Sequence, residues 1–156
     1  MPARTLVSLL APERIRVGLV AESKDDLLQS LVELAASHES VQDPDRVLRD
    51  VRAREAKLST GVGSGLALPH ARTVVDESLC ALATLRQPVD FEALDGEPVH
   101  LVLLLVGPEA DRSAHLHLLG RISRVLSDPE VHRALAAAAT PDEALGAIRA
   151  AEARVA

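Results

Sequence analysis

The segment Val99-His-Leu-Val-Leu-Leu-Leu-Val106 holds one polar residue in eight. It is far too short to cross a membrane and has no polar stripe, so it does not read as a surface helix. A continuous aliphatic run of this length reads as a central strand covered on both faces, and a strand of that kind needs a helical layer above and below it. The rest of the chain has to supply those layers.

The supply is visible. Arg14-Ile-Arg-Val-Gly-Leu-Val20 begins with the polar–apolar alternation of an edge strand. Ser23-Lys-Asp-Asp26 follows as an N-cap with acidic residues in the first turn, and Leu27, Leu28, Leu31, Leu34 and Ala35 form the buried stripe of a helix. Asp43-Pro44 opens a second helix, whose stripe reads Val47, Leu48, Val51 and Leu58. Arg54 falls on that same stripe, where a cation either snorkels or points at a site. Ser59-Thr-Gly-Val-Gly-Ser-Gly65 is predicted to be a flexible loop, Leu66 to Leu68 a short strand stopped by Pro69, and Ser78 to Arg86 a further strand. Leu94-Asp-Gly-Glu97 is a strong turn signal before the aliphatic strand. Beyond Gly107-Pro108, a helix over Ser113 to Leu126 is predicted from Leu116, Leu119, Ile122 and Leu126, and two more are capped at Ser127-Asp-Pro-Glu130 and Thr140-Pro-Asp-Glu143. With no repeat and no linker in 156 residues, the expectation is one α/β domain with a mixed sheet between helices.

Composition removes several functions. There is one Phe and no Trp or Tyr, so neither a sugar-stacking cleft nor a base-stacking platform can be built. A net charge of −6 gives no general footprint for nucleic acid or an anionic membrane. The single Cys80 excludes an internal disulfide and a Cys-rich zinc site. Met1-Pro-Ala-Arg4 leads into no signal-like apolar run, so the chain is expected to be cytoplasmic, with no membrane insertion.

Of the six histidines, four have ordinary explanations. His38 ends a helix, His100 lies within a strand, His132 sits on a terminal helix, and His117 lies roughly opposite His115 on its helix. His70 stands apart. It follows a strand and a proline at a sheet rim, and Gly61, Gly63 and Gly65 just upstream let the backbone approach an anion. The glycines form no Walker A motif, since no Gly-Lys-Ser/Thr follows, and no dinucleotide fingerprint, since they precede the strand. His115-Leu-His117 lacks the one-face spacing of helical zinc ligands, and Ser64 sits in no Gly-x-Ser-x-Gly frame.

The string Arg54-Glu-Ala-Lys-Leu-Ser59-Thr60-Gly61-Val-Gly63-Ser-Gly65-Leu-Ala-Leu-Pro69-His70 resembles the enzyme IIA domain of the bacterial phosphotransferase system, of the fructose/mannitol and nitrogen-regulatory type. Pro88-Val-Asp-Phe-x-Ala-Leu-Asp-Gly-x-Pro-Val99 and His115-Leu-x-Leu-Leu119 resemble two further segments of it, in order, so that the likeness spans about residues 5–150. The resemblance implies a three-layer α/β/α sandwich in which His70 accepts a phosphoryl group from an HPr-type phosphocarrier protein, His115 and Arg54 line the site, and a IIB domain or regulatory target receives the group or the signal. It implies neither cofactor nor metal. Ser59, Thr60, Gly61, Gly63 and Gly65 are expected as a phosphate loop, and Ala71 stands where the family usually has Gly. The His115-Leu-His117-Leu pair and the single-domain layout favour the nitrogen-regulatory branch; a stand-alone component of fructose/mannitol-type uptake and a IIA fold without phosphotransfer are the alternatives.

Overall fold

The computed structural model describes residues 4–155; of the N-terminal stretch, Met1 to Ala3 lie outside the described residues, as does Ala156. In chain order the elements are α1 (Leu6–Leu9), a 3-10 turn (Pro12–Arg14), β1 (Ile15–Leu19), α2 (Lys24–Ala35), α3 (Pro44–Lys57), β2 (Gly61–Gly63), β3 (Leu66–Ala67), β4 (His70–Thr73), β5 (Leu79–Val89), β6 (Val99–Pro108), α4 (Arg112–Leu126), α5 (Pro129–Ala137) and α6 (Pro141–Val155). The sheet order is β1-β5-β6-β3-β2, with β4 also paired to β6. β1 runs parallel to β5, β5 antiparallel to β6, and β3 and β4 both parallel to β6, which makes the sheet mixed.

β6 is the strand the aliphatic run foretold. Because side chains alternate across a strand, Leu101, Leu103 and Leu105 enter one core with α1, α4, α5 and α6, while Val102, Leu104 and Val106 enter the other with α2 and α3. Three layers result. Burying one such side chain contributes roughly 1.5–3 kcal/mol, so a polar substitution at any of these positions removes support from a whole helical layer.

The element limits differ from expectation where local chemistry was outvoted. The glycine-rich segment is a tight hairpin: Gly61 and Gly63 pair with Ala67 and Leu66, and Ser64 and Gly65 turn with φ of 57° and 81°. Two consecutive positive-φ residues make the turn that suits strand twist, and a Cβ at Gly65 would overlap the His100 ring. β5 continues past Arg86 to Val89, which pairs with Val99 beyond an irregularity that begins after Thr84, so Pro88 falls where the ladder is already broken. In α3 the buried stripe stops at Val51 and Glu55, leaving Leu58 exposed as the C-cap. In α4 the sheet covers His115, Leu118, Ile122 and Val125, and Leu116 is 57% exposed. Leucines at 116, 118 and 119 point in several directions, so spacing alone could not choose the buried face. His38 lies just beyond α2, and its Nε2 is 3.0 Å from a Glu77 carboxylate oxygen.

α1 is anchored from the far end of the chain. Glu152 of α6, 5% exposed, accepts from the backbone N–H groups of Leu6 (2.6 Å) and Val7 (3.1 Å) and from Arg121 Nε (2.8 Å). Burial alone would raise its pKa, but the Arg121 hydrogen bond and the two amides outweigh it and hold the carboxyl below its usual value. Replacing Glu152 by Ala strands a cation and two amides, and is expected to cost about 2–4 kcal/mol in urea unfolding near neutral pH. A lowered folded-state pKa means this stability is present above the free carboxylate value and is lost as pH falls through the folded value. The gap between wild type and variant should therefore narrow on acidification below about pH 4.

Candidate functional site

The chain between Leu66 and Thr73 lies along one edge of β6 throughout, but its outer neighbour β2 ends at Gly61. Pro69 accepts the Leu105 N–H through its carbonyl, so Pro69 faces β6. Backbone polar groups alternate in direction along a strand, so those of Leu68 face outward. The Leu68 N–H is taken by the Thr60 carbonyl. The Leu68 carbonyl, with no strand beyond it, accepts from His70 Nδ1 at 2.8 Å. A carbonyl can only accept, so Nδ1 carries the proton and Nε2 holds the free lone pair. Desolvation, opposed by that backbone bond and assisted by the charge of Arg54, lowers the His70 pKa, keeping the ring neutral near pH 7.

Side-chain alternation sends His70 and Arg72 toward α4 and Ala71 and Thr73 toward α3. His115, in the first turns of α4, meets His70 with ring centroids 5.6 Å apart and planes tilted by 50°. Its approach depends on Gly107 at the end of β6: a methyl group there would lie 3.2 Å from His115 Nδ1 and 2.9 Å from Ser78 Oγ. His115 is 6% exposed and neither ring nitrogen has a hydrogen-bond partner among the described residues. Burial, with smaller contributions from His70 and Arg72, pushes its pKa down to about 4. A buried donor and acceptor left without partners cost free energy that a bound polar group would recover.

Arg54 reaches the same place from α3. Its Nη1 donates to the Leu58 carbonyl at 3.0 Å, capping its own helix and holding the guanidinium at the mouth of a cavity of about 350 Å³ that His70 and His115 also line. Arg46 completes that wall. It pairs with Asp50 at 3.2 Å, and Asp50 in turn accepts from Thr73 Oγ1 at 2.7 Å, tying α3 to β4. Arg46, Asp50, Ala53, Arg54 and Lys57 recur at helical spacing and all line the cavity. This polar stripe is legible in the sequence, yet of its members only Arg54 was singled out.

The remaining predicted residues lie elsewhere. Ser59, Thr60, Gly61, Gly63 and Gly65 do not line the cavity of His70, and the polar groups of Ser59, Thr60 and Gly61 are engaged internally. Ser59 Oγ donates to the Phe91 carbonyl, the Gly61 N–H reaches Ser59 Oγ, and the neighbouring Ser64 N–H reaches Asp95. Thr60 presents its N–H and hydroxyl to Glu55, at 2.8 and 2.5 Å. Glu55 is 6% exposed and also meets Lys24 Nζ at 3.0 Å, which lies 4.6 Å from the centre of the Phe91 ring. The hairpin thus clamps α3 rather than opening toward an anion. Ala71 packs in the α2/α3 core at 5% exposure, so its methyl group is a core contact. Among the described residues no three His, Cys, Asp or Glu side chains converge on a point that could hold a metal ion, and no helix is long and apolar enough to cross a membrane.

A mixed sheet between two helical layers, with a proton-defined imidazole at its rim and a second imidazole facing it, describes a domain suited to carrying a group on histidine. The sequence profile of the family described as "Phosphoenolpyruvate-dependent sugar phosphotransferase system, EIIA 2" matches residues 8–151, and the chain belongs to that family. A nitrogen regulatory protein of Bradyrhizobium diazoefficiens is 40% identical over 134 residues, covering 85% of this chain and 86% of that one. The fructose-specific EIIABC component of Bacillus subtilis is 30% identical over 138 residues, covering 88% of this chain but 22% of that longer protein. The crystal structure of the nitrogen regulatory protein IIA-Ntr from Neisseria meningitidis superposes with a TM-score of 0.85 at 29% identity, over 91% of this chain and 97% of that one.

Nitrogen-15 NMR of the imidazoles checks the electrostatics directly. His70 should appear as the Nδ1–H tautomer, neutral at pH 7 and titrating below the ordinary 6.5, with His115 titrating near 4. Since the unfolded chain binds a proton at His115 below about 6.5 that the folded ring refuses until about 4, this residue makes stability fall as pH drops through that interval. A His115 that titrates at 6.5 would contradict its burial.

Proposed function

We propose that this protein is a phosphohistidine carrier of the nitrogen-regulatory IIA type, in which His70 Nε2 takes a phosphoryl group from an HPr-type phosphocarrier in the cytoplasm. The observation that carries the reading is the 2.8 Å bond from His70 Nδ1 to the Leu68 carbonyl, which leaves one nucleophilic nitrogen and fixes where it points. The step is a displacement: the Nε2 lone pair forms the new P–N bond as the donor's P–N bond breaks, and the donor imidazole leaves with that electron pair. The proton stays on Nδ1, donated in a hydrogen bond to the Leu68 carbonyl, so the ring becomes cationic as the P–N bond forms. That charge makes the phosphoramidate a good leaving arrangement for onward transfer to a IIB domain or for use as a regulatory signal.

Charge in this reaction spreads over three equatorial oxygens, and positioned donors are what stabilise it. Arg54 offers a guanidinium from the cavity mouth, and neutral His115 offers one N–H that lacks a partner otherwise. The phosphoryl dianion beside His115 reverses its electrostatic surroundings and draws its pKa upward, so the donor strengthens once the group has arrived. The likeness to whole-length nitrogen regulatory proteins supports the regulatory reading; the likeness to one fifth of a fructose transport protein keeps sugar uptake as the second.

The test is intact-mass analysis after incubation with phosphoenolpyruvate, enzyme I and HPr. Wild type should gain one acid-labile phosphoryl group and His70→Ala none, while Arg54→Ala and His115→Ala should each slow the gain by about a hundredfold. Undiminished labelling of His70→Ala would overturn the assignment. A labelled state that alters the set of proteins captured from extract favours regulation, and transfer onto a sugar-specific IIB favours uptake.

A further inference from the structure

The cavity around His70 inverts the charge of the molecule. The chain carries a net −6, yet the cavity wall holds Arg46, Arg54, Lys57, Arg72 and Arg112 against only Asp50 and Glu109. Asp50 is already committed to Arg46 and Thr73. Arg54 and Arg72 rest on the backbone carbonyls of Leu58 and Glu109, which aims them around the opening without neutralising them. Lys57 and Arg112 are exposed and make no ion pair or side-chain hydrogen bond among the described residues. Exposed cations of this kind add little to fold stability, and gathering them at one place carries a repulsive cost.

A transferring phosphoryl group brings about two negative charges, so the excess of three cations is more than it needs, and the outermost two stand at the rim. Leu116 stands in the same rim, 57% exposed, one residue from His115. A free anion gains nothing from an exposed leucine, whereas a protein surface does; an apolar centre ringed by charge is the usual anatomy of a docking face. Single-stranded nucleic acid is a poorer occupant, because the one Phe is fully buried and no other aromatic ring is available for stacking.

We propose that Lys57 and Arg112 are steering residues that select a phosphodonor whose phosphohistidine is flanked by carboxylates, with Leu116 as the apolar centre of that contact. The proposal rests on His70 being the acceptor. Steering acts on encounter, through a field that extends about 10 Å at 0.1 M salt, and is worth tenfold or more in rate.

The test uses two versions of one HPr-type carrier, differing only at two positions beside the phosphohistidine, Glu in one and Lys in the other. Both are charged with enzyme I and phosphoenolpyruvate, and transfer to the full chain is followed by rapid quench. The Glu version should load wild type about tenfold faster at low salt, with the gap closing as salt is raised. The double variant Lys57→Glu, Arg112→Glu should invert that order, and Arg149→Glu, an exposed charge reversal on α6, should leave it unchanged. Phosphoramidate, a small donor, reports separately whether His70 is reactive in each variant. Equal or faster loading by the Lys version, an unchanged order in the double variant, or labelling by phosphoramidate with none from either carrier would overturn the docking proposal alone. No labelling of wild type from any donor would fell the phosphocarrier reading and this one with it.

Discussion

Everything in this molecule is hung on one strand that is almost wholly buried. From Val99 to Gly107 β6 is buried apart from a partly exposed His100, and both of its edges are occupied, by β5 on one side and by β3 and β4 on the other. From Leu101 onward, Val102, Leu104 and Val106 hold α2 and α3, while Leu101, Leu103 and Leu105 hold α1 and α4 to α6. The same strand then sets the site. Its register places His70 opposite Leu105, its Leu105 N–H fixes the direction in which Pro69 faces, and its end at Gly107 leaves the space into which His115 settles. The two imidazoles face each other because both are referred to one rigid element, not because either is held by a flexible loop.

A buried carboxylate supplies the other fixed point. Glu55 satisfies its oxygens with Thr60 and Lys24, so the last turn of α3, the start of the hairpin and the N-terminus of α2 are locked to one another. Taking such a charge out of water is costly unless every lone pair finds a donor. Here an amide, a hydroxyl and an ammonium do so, and the ammonium also lies near the Phe91 ring. The consequence for the site is geometric. Arg54 is the residue before Glu55, so fixing the helix end fixes the guanidinium that guards the cavity, and the hairpin that follows delivers Leu68 with its carbonyl pointing outward.

How much of this the sequence disclosed depends on the kind of force involved. Burial of β6 and the helix starts at Ser23, Asp43 and Asp128 follow from local patterns, and the structure reproduces them. What local patterns could not carry is choice among faces. The spacing puts Leu116 on the buried stripe and the sheet takes Leu118 instead, and the glycine-rich segment looks like an anion cradle until the Gly61 amide is seen to be spent on Ser59 and the Ser64 amide on Asp95. Gly107 was read only as the end of a strand, because nothing in its neighbours announces that a histidine eight positions later will press against it. Arg46, Lys57 and Arg112 were invisible for a different reason: a charge run usually means a solvated face, and only the folded chain shows two separate helices turning theirs to one cavity.

The depressed pKa values and the cationic wall are two sides of one arrangement. Burial is the main reason both rings stay neutral, and the guanidinium charges of Arg54 beside His70 and of Arg72 beside His115 add to it. The same field favours an incoming phosphoryl group and any carboxylates around it. On the proposed reading, transfer weakens that field, because a phosphoryl group on His70 offsets part of the local excess of charge and leaves His115 free to hold a proton. On that reading an empty site attracts an acidic phosphodonor more strongly than a loaded one does, which helps the spent carrier leave. Directionality of the proposed kind needs no moving part; it would follow from an excess of cations placed around one uncharged imidazole.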